Sequence, residues 1–309
     1  MPIEIHHPES SRPGFLLQGK QSVYIMQVGP DGRLLHQAWG TSTSPGSLKN
    51  WDLEILPPQL FANEANFQEI YPFGETTSAL PSLLVSLCPE SAGTSEAVRS
   101  LNLTYASHRI HAESHPAGAP SHGRPGRNPR PETLEIILTD QLLHIELSLF
   151  YRIYGEVDMI ERWCELRNHH TGPVDVDRIA FASWSLPLGD YEVVTPTGQI
   201  FGEFQMQKLA LPRGLTLTTR SGNLTTSHRA NPAFLCQDQT DPNRVFFGAL
   251  AYSGNWRIDF ESLDAGCLRI HGGEDDLDTR FTLASGDSHR TPSFFAGCTA
   301  QGRESAAHR

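Results

Sequence analysis

Short runs of alternating apolar and polar residues recur along the chain, and most of them end at Gly, Pro, Asn or Asp. Residues 21–28 and 33–39 flank the turn sequence Gly-Pro-Asp-Gly at 29–32, which predicts a β-hairpin. Residues 144–154 alternate so that one face of a strand is apolar and the other is polar. The apolar face consists of Ile145, Leu147, Leu149, Tyr151 and Ile153.

The other strand candidates show the same alternation of apolar and polar residues, whereas sequence patterns of amphipathic helices are nearly absent. Only residues 58–69 have a loose helical spacing, and residues 114–131 are rich in Pro, Gly and Arg, which predicts an exposed loop. Many short strands separated by turns are typical of a β-sandwich, and 309 residues predict an unusually large one. The further strand candidates are residues 82–87, 101–109, 133–139, 142–154, 159–168, 174–186, 215–220, 245–252, 256–260, 268–272 and 279–283.

Composition narrows the classes of partner and compartment. The net charge of -11 argues against a nucleic-acid partner, because binding to polyphosphate requires a basic face. The five cysteines have no close spacing, which predicts neither a disulfide framework nor a metal knuckle and favours a reducing compartment. No signal peptide is recognisable, and no stretch approaches the roughly 20 apolar residues that span a bilayer. We therefore expect a cytoplasmic protein without a membrane partner.

Sequence patterns that carry catalytic chemistry are not recognisable. Phosphate loops, dinucleotide fingerprints and nucleophile elbows are absent, so no cofactor and no catalytic residue are predicted. Neighbouring side chains on a strand point to opposite faces, so two adjacent histidine pairs do not predict a metal site. The acidic residues between 274 and 278 lack the alternation of a calcium loop, which favours a solvated turn. The histidine pairs are His6-His7 and His169-His170.

Three tryptophans and two histidines each have a functional and a structural interpretation. Trp39, Trp184 and Trp256 are either platforms that stack on sugar rings or core residues, and their place on alternating strands favours the core. His36 and His228 are either proton-transfer groups or hydrogen-bonded structural residues, and the structural interpretation is favoured. Glycoside hydrolysis needs a pair of carboxyl groups, but no spacing among the 35 acidic residues singles one out.

Several motifs, in order along nearly the whole chain, resemble the N-terminal domain of glycoside hydrolase family 36, the bacterial and fungal α-galactosidases. Residues 32–40 resemble that family's G-x-L-x-H-x-x-(aromatic)-G hairpin, and residues 132–140 match its E-T-L-x-I-x-L-x-D strand. Residues 252–256 resemble its Y-S-G-N-(aromatic) segment. The other similar segments are residues 22–24, Tyr71-Pro72 with Gly74, Pro81-Ser82, residues 198–203, residues 220–222, Ser227-His228, Asn231-Pro232, Gly286 and Thr291-Pro292.

This resemblance implies a β-supersandwich of the galactose-mutarotase-like kind, which in the family precedes a (β/α)8 barrel and a C-terminal β-sandwich. Two aspartates of that barrel act as nucleophile and general acid/base, at the C-terminal ends of barrel strands. The β-α alternation of a barrel does not occur in this chain. The resemblance therefore implies that hydrolysis of terminal α-galactosides, with retention, belongs to a longer enzyme that forms tetramers.

The resemblance also implies a loop that contacts the substrate, at residues 74–81. In the family, a G-x-G-D-F-R-x-P pattern supplies an Asp and an Arg to the sugar pocket, and tetramers lend this loop to a neighbouring pocket. Here Thr77 takes the position of the Asp and Ala79 that of the Arg, so a carboxylate and a cation are both replaced. Glu75 is the carboxylate nearest to these positions. We predict Gly74, Glu75, Thr77 and Ala79 as the residues of this loop, and the departure weakens the expectation of α-galactose as ligand.

Together these observations predict a β-sandwich domain at residues 1–295 and a truncated linker at residues 296–309, towards a catalytic barrel outside this chain. The first hypothesis is a non-catalytic domain of an α-galactosidase, which is inactive as the isolated chain. The alternative is a stand-alone carbohydrate-binding or interaction module, which the changes at Thr77 and Ala79 favour. A third hypothesis, a mutarotase-like sugar enzyme, requires a His and a carboxylate in one cleft, and the sequence does not identify such a pair.

Overall fold

A computed structural model describes residues 3–41, 67–74, 80–87, 97–112, 131–199, 201–222, 230–263, 266–277 and 279–309 of the chain. Nearly all regular structure in these ranges is β-strand, arranged in four sheets, with one six-residue α-helix (α1, Gly302–Ala307). This arrangement confirms the predicted all-β class. Within the same ranges, no helix has the length and apolar character that crossing a membrane requires.

The N-terminal sheet is a four-stranded antiparallel meander. Its strands are β1 (Ile3–His6), β2 (Gly14–Gln18), β3 (Ser22–Val28) and β4 (Leu34–Thr41). β3 and β4 form the hairpin that the sequence predicts, and Gly32 in its turn has a φ of +81°, a conformation that favours glycine.

The largest sheet has ten antiparallel strands, with β20 paired to β9 beside the continuous order β13-β12-β15-β16-β21-β9-β8-β7-β6. The predicted apolar face at residues 145–153 is buried against the core, as expected from its alternation. The strands are β6 (Thr104–Ala112), β7 (Glu132–Asp140), β8 (Ile145–Tyr154), β9 (Met159–Asn168), β12 (Tyr191–Gln199), β13 (Gly202–Ala210), β15 (Ala233–Asp238), β16 (Val245–Ala251), β20 (Ser288–Arg290) and β21 (Ser293–Thr299).

Two smaller sheets complete the fold, in the orders β19-β10-β5 and β11-β18-β17-β14. Their strands are β5 (Leu83–Leu87), β10 (Val174–Ile179), β11 (Ala182–Leu186), β14 (Thr216–Arg220), β17 (Trp256–Ser262), β18 (Leu268–Glu274) and β19 (Phe281–Leu283). The prediction of a single strand over residues 174–186 is wrong. The chain changes sheets at Ala180 and Phe181, where the Ala180 amide donates to the Ser82 carbonyl at 2.6 Å, so β10 and β11 pair with different partners.

One hydrophobic core joins all four sheets. At its centre, Trp39 of β4 lies 5.2 Å from Trp184 of β11 and 4.9 Å from Phe246 of β16, measured between ring centroids. Tyr24 of β3 lies 5.7 Å from Trp184 in an edge-to-face arrangement. Trp256 is also buried. The structural interpretation of the three tryptophans is therefore confirmed, since each packs in the core.

Among the described strands, the sequence pattern did not predict seven, namely β1, β2, β12, β13, β15, β20 and β21. In β13, residues 203–208 are all exposed, and the alternation of Phe204 and Met206 with polar residues spans only residues 203–207, which is short for a strand signal. Phe204 and Met206 lie among these exposed residues. Residues 114–130 of the predicted loop and most of the helix predicted at 58–69 lie outside the described residues.

The C-terminal segment packs on the large sheet. Residues 296–299 belong to β21, and Ala306 of α1 packs on Val245 and Phe247 of β16. The Arg309 guanidinium donates to the Asp158 carboxylate at 2.8 Å, and Asp158 also accepts from the Ser22 amide at 3.0 Å. The segment predicted as a linker is thus ordered against the domain, and the domain boundary at residue 295 stays a prediction.

Candidate functional site

The described ends of the loop predicted at residues 74–81 lie next to each other in the fold. Gly74 has a φ of +99°, and a Cβ atom there would lie 2.4 Å from the Ser100 Oγ and 2.8 Å from the Ser100 Cα. Only glycine fits such a close approach in this backbone conformation. Glu75, Thr77 and Ala79 lie outside the described residues. We call residues 71–74 and 80–82, which carry the loop, the loop stem.

Backbone hydrogen bonds hold the two halves of the loop stem together. The Tyr71 amide donates to the Ser82 Oγ at 2.8 Å, and the Ser82 amide donates to the Tyr71 carbonyl at the same distance. The Phe73 amide donates to the Leu83 carbonyl at 2.9 Å, and the Phe73 carbonyl accepts from the Leu101 amide at 3.2 Å. Backbone groups and the Ser82 hydroxyl therefore fix the two ends of the loop next to each other.

A group of buried polar side chains from β17 and β18 lies against the loop stem. The Glu261 Oε1 accepts from the Leu80 amide at 3.3 Å, and the Glu261 Oε2 lies 3.1 Å from the Arg269 Nε. The Arg269 guanidinium lies over the Tyr71 ring, 4.6 Å from its centroid. The His271 Nε2 is 3.6 Å from the Glu261 Oε2, and its ring meets Tyr71 edge-to-face at 5.7 Å. We call Tyr71, Glu261, Arg269 and His271 the Glu261 cluster.

Burial and charge set the protonation states in the Glu261 cluster. Burial acts to raise the pKa of Glu261, but the neighbouring His271 and Arg269 outweigh it, so this pKa lies below its usual value. Burial lowers the pKa of His271, and the positive charge of Arg269 acts in the same direction against the attraction of Glu261. Near neutral pH the cluster therefore consists of a carboxylate, a guanidinium and a neutral imidazole.

A second buried group lies directly before the loop stem, in the core. The Glu69 carboxylate accepts from the Tyr24 hydroxyl at 2.7 Å, from the Tyr151 hydroxyl at 2.8 Å and from the Arg162 Nη1 at 2.8 Å. The His36 Nδ1 lies 3.2 Å from the Glu69 Oε1. The side chains of Glu69 and Arg162 are both fully buried. We call Glu69, Arg162, Tyr24, Tyr151 and His36 the Glu69 cluster.

Arg162 uses the rest of its guanidinium to fix the backbone on either side. Its Nη1 also donates to the Ser183 carbonyl at 2.7 Å, and its Nη2 donates to the Glu69 carbonyl. The guanidinium lies over the Tyr151 ring at 5.0 Å. Burial acts to raise the pKa of Glu69, but the charge of Arg162 and the contact with His36 keep it below its usual value.

Neither carboxylate has the raised pKa that a general acid needs near neutral pH. A carboxylate that pairs with an arginine and has a lowered pKa is a hydrogen-bond acceptor near neutral pH, and general acid catalysis needs a raised pKa instead. His36 contacts Glu69 in the core, which fits its structural interpretation, whereas His228 lies outside the described residues. The geometry is that of two supports for the segment between residues 69 and 82.

The acidic turn at 274–278 is neutralised by arginines. The Asp276 carboxylate accepts from the Arg257 Nη1 at 2.8 Å and lies 3.4 Å from the Arg178 Nη1, and the Asp275 carboxylate lies 3.4 Å from the Arg220 Nε. Asp278 lies outside the described residues. Within the part of the chain that the structure describes, no three His, Cys, Asp or Glu side chains are grouped so that they could hold a metal ion.

Sequence reasoning missed the acid–arginine pairs of both clusters, although one signal was present. Arg162 lies on the same face of β9 as Ile160, Cys164 and Leu166, and all three of these neighbours are buried. A charged residue on an apolar face predicts a buried partner of opposite charge. Its partner Glu69 is 93 residues away along the chain, which no local pattern could reveal.

Comparison with known proteins decides the family. Residues 34–284, which include the loop and every member of both clusters except Tyr24, match the family model described as the glycosyl hydrolase family 36 N-terminal domain. The chain belongs to this family. The family 36 domain is 25% identical over 298 residues to α-galactosidase Mel36A of Lactobacillus acidophilus, in an alignment that covers 90% of this chain and 39% of the relative. The chain thus spans about two fifths of the length of this curated relative.

Solved structures share the fold. The α-galactosidase from Lactobacillus brevis superposes with a TM-score of 0.80 at 21% identity, over 98% of this chain and 41% of the other. The α-galactosidase AgaA from Geobacillus stearothermophilus, solved in complex with raffinose, superposes with a TM-score of 0.76 at 24% identity, over 94% of this chain and 41% of the other. The expected family 36 β-sandwich is therefore confirmed.

Proposed function

We propose that the family 36 domain is the non-catalytic N-terminal part of an α-galactosidase and that its loop at residues 74–81 helps to form the sugar site. The observation that supports this proposal is the loop stem, which two buried acid–arginine pairs hold in place. A surface loop that merely connects strands does not need such supports. The relative AgaA was solved with raffinose, an α-galactoside, which supports this substrate class.

The catalytic carboxylates of the proposed enzyme belong to a barrel that the described residues do not contain. Retaining glycoside hydrolysis needs two carboxyl groups about 5–5.5 Å apart, one of them with a raised pKa. In the two clusters that hold the loop stem, Glu69 and Glu261 both have lowered pKa values and both pair with arginine. The role assigned to this domain is therefore to shape and orient a site, and the bond-breaking step belongs elsewhere.

The native protein in its source cells provides the test. Intact-mass measurement and release of galactose from raffinose would be recorded on the same immunopurified sample. We expect a mass far above 34.2 kDa together with activity, and no turnover above a buffer blank by the isolated 309-residue chain. A native mass of 34.2 kDa without activity, or turnover by the isolated chain, would contradict the proposal.

A stand-alone carbohydrate-binding or interaction module is the second candidate. The changes at Thr77 and Ala79 favour it, because they remove the charged groups expected at the loop tip. The same mass measurement separates the two candidates, and titration of a 34.2 kDa native protein with raffinose would then test for sugar binding. Cytoplasmic location and tetramer formation are further parts of the proposal, which cell fractionation and sedimentation of the native protein would test.

A further inference from the structure

We propose that Glu261 is a positioning residue for the loop stem, whose two halves it ties to β17 and β18. This inference rests on the proposed function, in which the loop meets the sugar. Glu261 reaches the C-terminal end of the loop directly, through the hydrogen bond from the Leu80 amide at 3.3 Å. These two residues are 181 positions apart in the sequence, so the contact belongs to the tertiary fold.

Glu261 reaches the N-terminal end of the loop through Arg269. The Arg269 Nε lies 3.1 Å from the Glu261 Oε2, and the guanidinium lies 4.6 Å from the centroid of the Tyr71 ring. Tyr71 starts the loop stem and is itself buried. One carboxylate therefore connects both halves of the stem, because the same side chain accepts from Leu80 and orients the guanidinium that covers Tyr71.

The contacts of Glu261 are separate from those that build the core. On the same strands, Phe260 and Ile270 point to the opposite face and belong to the hydrophobic core, with 0% of each residue exposed. The face with Glu261, Arg269 and His271 is buried as well, although β18 has the alternation of a strand with one solvated face. Residues of the loop stem contact this polar face, so its side chains serve the loop.

A buried ion pair is an inefficient way to stabilise a protein, since its desolvation offsets much of its attraction. The hydrogen bond that Glu261 accepts from the Leu80 amide is directional, however, and it fixes one geometry where an apolar contact would allow several. The Glu261 carboxylate has two oxygens, and each serves a different half of the stem. This division of contacts explains why a charged group, and not a leucine, lies against the loop stem.

Hydrogen exchange on the native protein tests the positioning role. In Glu261→Ala, we expect the Leu80 amide to exchange about tenfold faster or more, because a hydrogen bond to a charged acceptor is lost. In Glu261→Gln, the side-chain oxygen still accepts from Leu80 but the charge that orients Arg269 is gone, so exchange at Leu80 should rise less. Glu261→Gln also keeps the test informative if the alanine variant does not fold.

Glu274→Gln is the matched control. Glu274 of β18 is also a largely buried carboxylate, and its Oε1 lies 2.9 Å from the His289 Nε2. It pairs with Trp256 at the end of the β17–β18 ladder that is far from Glu261. Its replacement should leave exchange at Leu80 unchanged. Unchanged exchange at Leu80 in Glu261→Ala, in a protein that is otherwise folded, would overturn the positioning role.

Kinetics on raffinose separate this inference from the proposed function. If the loop meets the sugar, Glu261→Ala should raise KM by more than it lowers kcat, because the reacting groups are untouched. Faster exchange at Leu80 with an unchanged KM would keep the positioning role and contradict the proposed contact between loop and sugar. Unchanged exchange would overturn the positioning role whatever the kinetics show.

Discussion

Two acid–arginine pairs hold the same stretch of chain from different sides, and they differ in what surrounds them. Glu69 and Arg162 are both fully buried in the core, where two tyrosines and a histidine complete the coordination of the carboxylate. Glu261 and Arg269 lie on the opposite face of β17 and β18 from the core, and 10% of the Glu261 side chain is exposed. The first pair has no access to water, whereas the second has some.

This difference assigns the pairs to different levels of the structure. Glu69 and Arg162 join the segment before the loop stem to β3, β8, β9 and β11, so their loss disturbs the packing of several sheets. Among the described residues outside their own sheet, Glu261 and Arg269 contact the loop stem. We therefore expect the first pair to determine global stability and the second to determine local geometry.

Removal of the arginine in the core should have the largest effect. Arg162→Met leaves the Glu69 carboxylate buried without its counter-ion, and breaking a buried pair in this way costs roughly 3–5 kcal/mol. Urea unfolding followed by tryptophan fluorescence would measure the loss. The double variant Arg162→Met with Glu69→Gln should lose less, because no charge then remains in the core. A loss below about 1 kcal/mol in Arg162→Met would contradict the role of this pair in global stability.

The sequence was sufficient for the strands that alternate and for the family, but not for the two pairs. In residues 144–154 the alternation was a sufficient signal, since every residue predicted to point inward is buried. The predicted loop at 74–81 came from resemblance alone, and its residues Glu75, Thr77 and Ala79 stay a prediction. Glu69 falls within the segment that loosely resembled a helix, so its acidic side chain was not recognised as a core residue.

β18 shows why alternation alone cannot locate the second pair. Arg269 and His271 alternate with Leu268 and Ile270, and such a strand is usually solvated on its polar face. In this fold the loop stem covers that face, so Arg269 and His271 are buried as well. Because the covering segment is almost 200 residues away in the sequence, the residues of β18 alone do not predict that their polar face is buried.

Removal of Arg269, which lies against the loop stem, should lower the free energy of unfolding less than removal of Arg162 in the core. Arg269→Met loses the ion pair with Glu261 and the contact with the Tyr71 ring, but Glu261 keeps the Leu80 amide and some contact with water. We expect a loss of roughly 1–2 kcal/mol, in the range of a hydrogen bond to a charged group. Urea unfolding followed by tryptophan fluorescence would measure this loss as well. A loss equal to that of Arg162→Met would remove the distinction between the two pairs.

The imidazole of the Glu261 cluster should make stability depend on pH. The folded-state pKa of His271 lies below its usual value of 6.5, so below about pH 6.5 the unfolded chain binds a proton that the folded chain does not. Stability should therefore fall as the pH drops through this window, with a slope of up to about 1.4 kcal/mol per pH unit from this group. His271→Gln should flatten the slope between pH 6.5 and 5 and leave the slope at pH 8 unchanged. Equal slopes in both proteins would contradict this assignment.

An exposed pair provides the lower limit of the comparison. Arg167 lies on the outer face of β9 with 44% of its side chain exposed, and its Nε is 3.2 Å from the Glu165 Oε1. Water screens such a pair, so Arg167→Gln should cost only about 0.2–1 kcal/mol at low salt. At 1 M salt the screening length falls to about 3 Å, and the difference from wild type should disappear. The loss of unfolding free energy in Arg162→Met should persist at high salt, because the pair of Arg162 and Glu69 is buried. If 1 M salt abolished the loss in both variants, water would reach the pair in the core.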